Sequence, residues 1–282
     1  MSDIIRASSL PGFSDCPRRW AARQIPTEIT ALGYTLRRPP HSIAAAVGTG
    51  VHGGAARALT RKMNAGDGGW INEIHDAAID AFRVALAEGD VATDATTPNT
   101  NVAEKQIVRM VMAFGRGVVP YVNPVMVEER LTAQASPQLI LSGQGDNLCR
   151  EESEAGSGLR DLKTGVREGS HRPQLGAYSL LYRSHGIDVT AAWTDFIQRV
   201  PLAKPQPPVV STRHDVAGCE TACLRVIQHV TDSLELFRLG DAALDFVAGD
   251  PWAFLANPSS TLCSANWCPA YDTDFCKEHK AK

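Results

Sequence analysis

Three short apolar or β-prone runs, Val125–Thr132, Leu139–Leu148 and Leu159–Lys163, follow one another with only polar turns between them. Runs of this length, punctuated by turn residues, predict hairpin-connected strands. On both sides the periodicity changes to that of helices. Upstream, Ser8, Ser9 and Pro11 suit the start of a helix reaching about Arg23. A small-residue helix carrying His52 begins near Ser42, and Trp70–Leu86 and Val102–Val119 repeat apolar residues at helical spacing, with a loop over Val91–Asn101. Downstream come a helix from Pro173 to Ser184, strands over Val189–Val200 and Pro208–Arg213, a long helix over Val216–Leu239, a short helix near Asp241–Val247 and a cysteine-rich tail. Helices, three strands, a helix and further strands predict the α/β class, with one mixed sheet flanked by helices. A chain of 282 residues, 44% of them apolar, can bury a substantial core, which excludes a wholly disordered protein. It is expected to form one domain: an N-terminal helical region (1–122), a core (123–213) and a C-terminal helix and tail (214–282).

The net charge of −3 hides an asymmetry. Residues 1–62 carry nine Lys/Arg against three Asp/Glu, a net of +6, so the remainder sums to −9. A basic front end on an acidic body suggests an anionic ligand near the N-terminus, and its arginines predict salt-dependent phosphate binding. No recognition helix or base-reading motif is visible, so no sequence specificity is expected. The most apolar stretch, Ser42–Ala56, holds four glycines and His52 and falls short of the ~18 residues of a membrane span. With no basic-then-apolar leader pattern, the expectation is a cytoplasmic protein without a membrane partner.

Two motif-bearing strands carry the chemistry. Gly143-x-x-Asp146 lies near the end of one, and Asp161-Leu162-Lys163-Thr164-Gly165 ends the next. Side chains alternate along a strand, so Asp161 and Lys163 share a side, and strand pairing can bring Asp146 beside them. Two carboxylates and a lysine suit phosphodiester hydrolysis. Carboxylate oxygens hold Mg²⁺ or Mn²⁺, a bound metal acidifies water and offsets phosphate charge, and the lysine can orient that water or stabilise the developing oxyanion. Gln174 and Tyr178 follow as an i, i+4 pair on one helix face.

In this order, the motifs resemble the RecB-like branch of the PD-(D/E)XK nuclease superfamily, whose core is restriction-endonuclease-like. The resemblance implies a metal site made by His52, in Gly50-Val51-His52, with Asp146, Asp161 and the Leu162 carbonyl. It makes Lys163 the catalytic lysine and Gln174 and Tyr178 its supporting pair, and it places an acidic residue, Glu128 or Glu129, before the first core strand. It also implies a deoxyribonuclease acting on single strands or duplex ends, with a protein partner in recombination, repair or CRISPR adaptation. A catalytically silent module that binds DNA ends is the alternative.

The resemblance extends to both termini. Cys16-Pro17-Arg18-Arg19 and the triplet Cys263, Cys268 and Cys276 are similar to the cysteines of the iron–sulfur members. Three cysteines within fourteen residues of a polar, proline-containing tail point to a metal staple. Four thiolates suit a 4Fe-4S cluster, and the rival is Zn²⁺ with His279 in place of Cys16. Cys149, Cys219 and Cys223 look like ordinary thiols of the interior.

Overall fold

A computed structural model describes residues 3–67, 71–87, 89, 91–150 and 156–278. In chain order the elements are β1 (Asp3–Arg6), α1 (Leu10–Asp15), α2 (Pro17–Gln24), α3 (Pro26–Ala31), β2 (His41–Ser42), α4 (Ile43–Ala65), α5 (Ile71–Leu86), β3 (Val91–Ala92) and α6 (Thr100–Gly117). They continue as β4 (Asn123–Ser136), β5 (Leu139–Arg150), β6 (Ser157–Gly165), α7 (Arg172–Ser184), β7 (Val189–Gln198), β8 (Val210–His214) and α8 (Val216–Leu239). None of the helices is long and apolar enough to cross a membrane.

The expected mixed sheet is present. Six strands form it, ordered β1-β5-β6-β7-β8 with β4 also paired to β5. β1 and β5 run parallel, as do β6 and β7; the other pairs are antiparallel. β5 is long enough to serve two neighbours along one edge. Leu139–Ser142 pairs with β1, whereas Asn147–Arg150 pairs with β6. Between them, Gly143–Asp146 has no strand on that side among the described residues. The chain leaves a gap in its own sheet at this one place.

Helices cover both faces. On one, α1, α2, α3, α7, α8 and the tail bury a core containing Leu141, Leu148, Leu159, Tyr178 and Phe237. On the other, α4, α5 and α6 bury Val51, Ile107, Met110, Cys149, Leu162 and Ile197. The alternation of Leu159 and Leu162 between the cores fixes which way β6 faces.

Four expectations change. The helix predicted from Ser8 to Arg23 breaks at Cys16, whose extended backbone (φ −153°) both ends α1 and caps α2, because Pro17 has no N–H to continue the first helix. The turn near Asp241–Val247 is only a 3₁₀ segment, Ala242–Leu244, closed by an Asp241–Phe246 bridge. β1 and α3 were not expected from their four and six residues. The acidic turn after Arg150 falls largely outside the described residues.

Candidate active site

α4 delivers the histidine. Ser42 caps it by accepting the Ala45 amide at 3.4 Å, and Gly66 ends it with a left-handed φ of 76°. Its small residues let α5 lie almost backbone to backbone: a Cβ on Gly50 would stand 2.9 Å from the Ala78 carbonyl. That fixed packing aims His52 at β5, where Nδ1 lies 3.1 Å from Asp146 Oδ1.

Asp146 stands where the β5–β6 ladder stops. The last paired residues are Asn147 and Arg160, and the same register would next oppose Asp146 to Asp161. Instead Asp146 Oδ2 accepts the Leu162 amide at 2.7 Å. One carboxylate thus satisfies both a backbone donor that lost its strand partner and the imidazole.

Across β5 on the other side, Glu128 sits between the paired residues Val127–Asn147 and Glu129–Gly145, opposite Asp146. Its φ of 51° is left-handed, rare for a residue with a Cβ. Such a conformation at a functional cluster is paid for by the surrounding structure. Ligand atoms of His52, Glu128 and Asp146 lie within 4.8 Å of one another. Of the two neighbouring glutamates, Glu128 and not Glu129 brings a carboxylate oxygen to this group.

β6 supplies the rest. Asp161 is 1% exposed, and its Oδ2 meets Lys163 Nζ at 2.8 Å. That oxygen has no partner in good hydrogen-bond geometry. Both residues are on the Leu159 side of the strand, facing α7, while Leu162 points into the α4 core. The Leu162 amide is committed to Asp146. On α7, Gln174 Nε2 donates to Tyr178 Oη at 2.8 Å, both side chains being buried. Gly143 and Gly145 let α7 approach this closely: a Cβ on Gly143 would come 2.9 Å from Tyr178 Cε1, and one on Gly145 would come 2.8 Å from Tyr182 Oη.

Charge is unevenly shared in this cluster. Burial pushes Asp161 up to about 6, with Asp146 adding to the rise and Lys163 opposing it. Glu128 is also raised, by desolvation and then by Asp146. Burial would raise Asp146 too, but His52, Lys163 and the Leu162 amide hold it below the ordinary carboxylate value. For His52 the burial penalty is overcome by Asp146, and its pKa is raised. Burial, then Asp161 and Asp146, pushes the Tyr178 phenol far up, so it stays protonated. Two carboxylates and an imidazole, those of Glu128, Asp146 and His52, form a donor set that suits a hard divalent cation; the Asp161 carboxylate, paired with Lys163, lies outside this group of ligand atoms.

Sequence reasoning missed a second buried ion pair beside the cluster. Arg160 grips Asp195 with two hydrogen bonds of 2.9 and 2.6 Å and lies over the Trp193 ring at 5.0 Å. Alternation gave the only available signal, since Arg160 and Leu162 must share the face toward α4.

Part of the basic front end is spent on contacts within the fold. Arg18 and Arg19 are buried, Arg18 donating to the Phe254 carbonyl at 2.9 Å and Arg19 to Ser260 Oγ at 2.9 Å. Arg57 and Arg61 pair with Glu73, and Lys62 donates to the Val119 carbonyl. These contacts tie the N-terminal region to the tail and α4 to α5, while Arg6, Arg23, Arg37, Arg38 and Arg57 remain exposed.

The tail returns to Cys16. Cys268 is pushed up to about 11 by burial first, with Cys16 and Cys276 adding to the rise. Cys276 is raised by burial, with Cys16 adding. Cys16, Cys268 and Cys276 are buried near one another, and Cys263 is half-buried. Among the described residues no three cysteine sulfurs come within 4.8 Å, wider than the about 3.8 Å between sulfurs of a tetrahedral zinc site with Zn–S near 2.3 Å. His279 lies outside the described residues. Cys149, Cys219 and Cys223 are buried, and burial pushes Cys223 up to about 12.

The gapped mixed sheet and the ordered cluster define a nuclease scaffold. The sequence model of the PD-(D/E)XK nuclease superfamily matches residues 6–272, and the chain belongs to that superfamily. Among solved structures, one from Eubacterium rectale, described as a candidate exonuclease, has a TM-score of 0.55 at 11% identity, covering 83% of this chain and 81% of that chain. At that identity the likeness speaks for the fold alone. LHK-Exo in complex with dAMP is a weaker likeness, with a TM-score of 0.28 at 14% identity over 70% of this chain and 97% of that one. No curated protein matches the chain.

Proposed function

We propose that this chain is a divalent-metal-dependent deoxyribonuclease, an exonuclease acting on single strands or DNA ends. The observation that carries the reading is the convergence of His52, Glu128 and Asp146 beside the buried Asp161–Lys163 pair. His52, Asp146, Asp161 and the Leu162 carbonyl would hold Mg²⁺ or Mn²⁺, with Glu128 beside them. When bound, such a cation supplies an acidified water and offsets charge on the phosphate. Lys163 then keeps a cation one strand repeat from Asp161, placed to stabilise charge developing on the phosphate oxygens. Burial and the nearby carboxylates keep the Tyr178 phenol protonated, and the hydrogen bond from Gln174 fixes it against β5, which shapes the α7 side of the site.

The tail is read as a second metal centre. Cys16, Cys263, Cys268 and Cys276 would hold a 4Fe-4S cluster, a reading supported by the buried thiols of Cys16, Cys268 and Cys276, of which Cys16 adds to the raised pKa of the other two. The cluster would join the two ends of what we read as one domain, placing the protein in the iron–sulfur branch. A role in recombination, repair or CRISPR adaptation, with a protein partner, follows from that branch.

The test is anaerobic purification, measurement of iron, and digestion of end-labelled linear and circular DNA with Mn²⁺. Iron-loaded protein that degrades linear DNA and spares circles of duplex is the expected result. Protein that binds DNA ends without cutting under any divalent metal would favour the silent end-binding module.

A further inference from the structure

A cavity of about 550 Å³ opens beside the carboxylate cluster, lined by Ser42, Gly48, His52, Thr164 and Trp267 among others. His52 belongs to both the cavity and the cluster, so the two are continuous. One wall is Thr164, the residue after Lys163, packed so closely on α4 that a Cβ on Gly48 would reach Thr164 Oγ1 at 3.0 Å. Trp267, from the cysteine-rich tail, also lines it.

Trp267 is unlike the other described tryptophans. Trp20 packs edge-on to Phe13, Trp193 lies under Arg160 and Trp252 lies under Arg18. Among the described residues the Trp267 ring has no aromatic or guanidinium partner, yet its backbone is clamped: its N–H donates to the Ser264 carbonyl at 3.1 Å, and its carbonyl accepts Arg23 at 2.5 Å. Two residues on, the Pro269 carbonyl accepts the Arg37 amide at 2.7 Å, so two exposed arginines, Arg23 and Arg37, are bonded to this stretch of the tail. A held, half-exposed indole face with cations at its edge fits a nucleobase stacked on the ring and a phosphate turned toward the arginines. Bases within a duplex already stack on their neighbours, so only an unpaired nucleotide can offer a free face to this wall.

We propose that Trp267 is a base-stacking platform that seats one unpaired nucleotide of the substrate strand in the groove leading to His52. The proposal rests on the nuclease reading and narrows its substrate to strands with unpaired nucleotides at the site. It gives the cysteine-rich tail a task in substrate binding, because that tail carries the platform.

The experiment uses the full chain purified anaerobically, a fluorescent single-stranded 12-mer and no added divalent metal. One abasic site is walked along the oligonucleotide. In the wild type a single position is expected to weaken binding by about ten-fold. Trp267→Ala should show the same loss with the unmodified oligonucleotide and no further loss at that abasic position, and Trp267→Phe should bind nearly as the wild type does. Unchanged affinity in Trp267→Ala overturns the proposal. So does a loss that adds to the abasic penalty at every position, which would mark a structural role, as would a fall in iron content. A wild type that binds no DNA at all overturns the nuclease reading instead.

Discussion

Asp161 is placed where a carboxylate is least comfortable. It is 1% exposed, it faces Asp146 across the broken ladder, and Lys163 only partly offsets its burial, so its pKa rises to about 6. An unfolded aspartate titrates near 3.9. The metal-free protein therefore bears an ionisation cost that is absent below about pH 4, grows between pH 4 and 6, and is complete above. Asp161→Asn should raise the melting temperature of metal-free protein at pH 8 and leave it unchanged near pH 4. Thermal melts across that range check this, and an equal effect at both pH values would contradict the burial argument. Most site residues were legible because residue chemistry is written in order along the chain: His52, Asp146, Asp161, Lys163, Gln174 and Tyr178 all fall on elements that converge. The choice of Glu128 over Glu129 was not legible, since it depends on a left-handed backbone at 128 that no residue type announces.

Among the helices and strands, two glycines in different helices separate propensity from packing. A Cβ on Gly176 in α7 would lie 2.0 Å from the Cys219 carbonyl of α8, a backbone atom that can yield only if the helices part. Gly115 in α6 has nothing within 4 Å of its Cβ direction. Gly176→Ala should cost about 3 kcal/mol through overpacking, while Gly115→Ala should gain up to ~1 kcal/mol from helix propensity. Urea melts of the two variants measure both, and similar values would refute the packing account. The long helices and the core strands were readable from periodicity, because many residues vote on each. β1 was not, because four residues carry no period of their own and it exists by pairing with β5. The same pairing leaves Gly143–Asp146 without a strand neighbour, so the gap that exposes the site also had no local signature.

Across the whole molecule, the chain ends meet. Phe13 and Trp20 share one core with Phe254, Phe275, Cys268 and Cys276, and buried Arg18 and Arg19 hydrogen-bond across some 240 residues of sequence. Charge counts along the sequence did not separate Arg18 and Arg19, which are spent inside the fold, from Arg23, Arg37, Arg38 and Arg57, which stay exposed. If a cluster staples the ends, Cys16→Ala should lose the iron and lower the melting temperature by on the order of 5 °C. Cys223→Ala, a buried thiol of α8 away from the tail, should keep its iron. Full iron in Cys16→Ala would remove that residue from the ligand set.

The proposed role of Asp146, Asp161 and Lys163 in cutting DNA stands or falls on one comparison: wild type against Lys163→Ala on end-labelled single-stranded DNA in Mn²⁺, with affinity for the same DNA measured in parallel. Cleavage is expected to fall at least about 100-fold, with binding within a few-fold of the wild type. A Lys163→Ala variant that cleaves at the wild-type rate would contradict it.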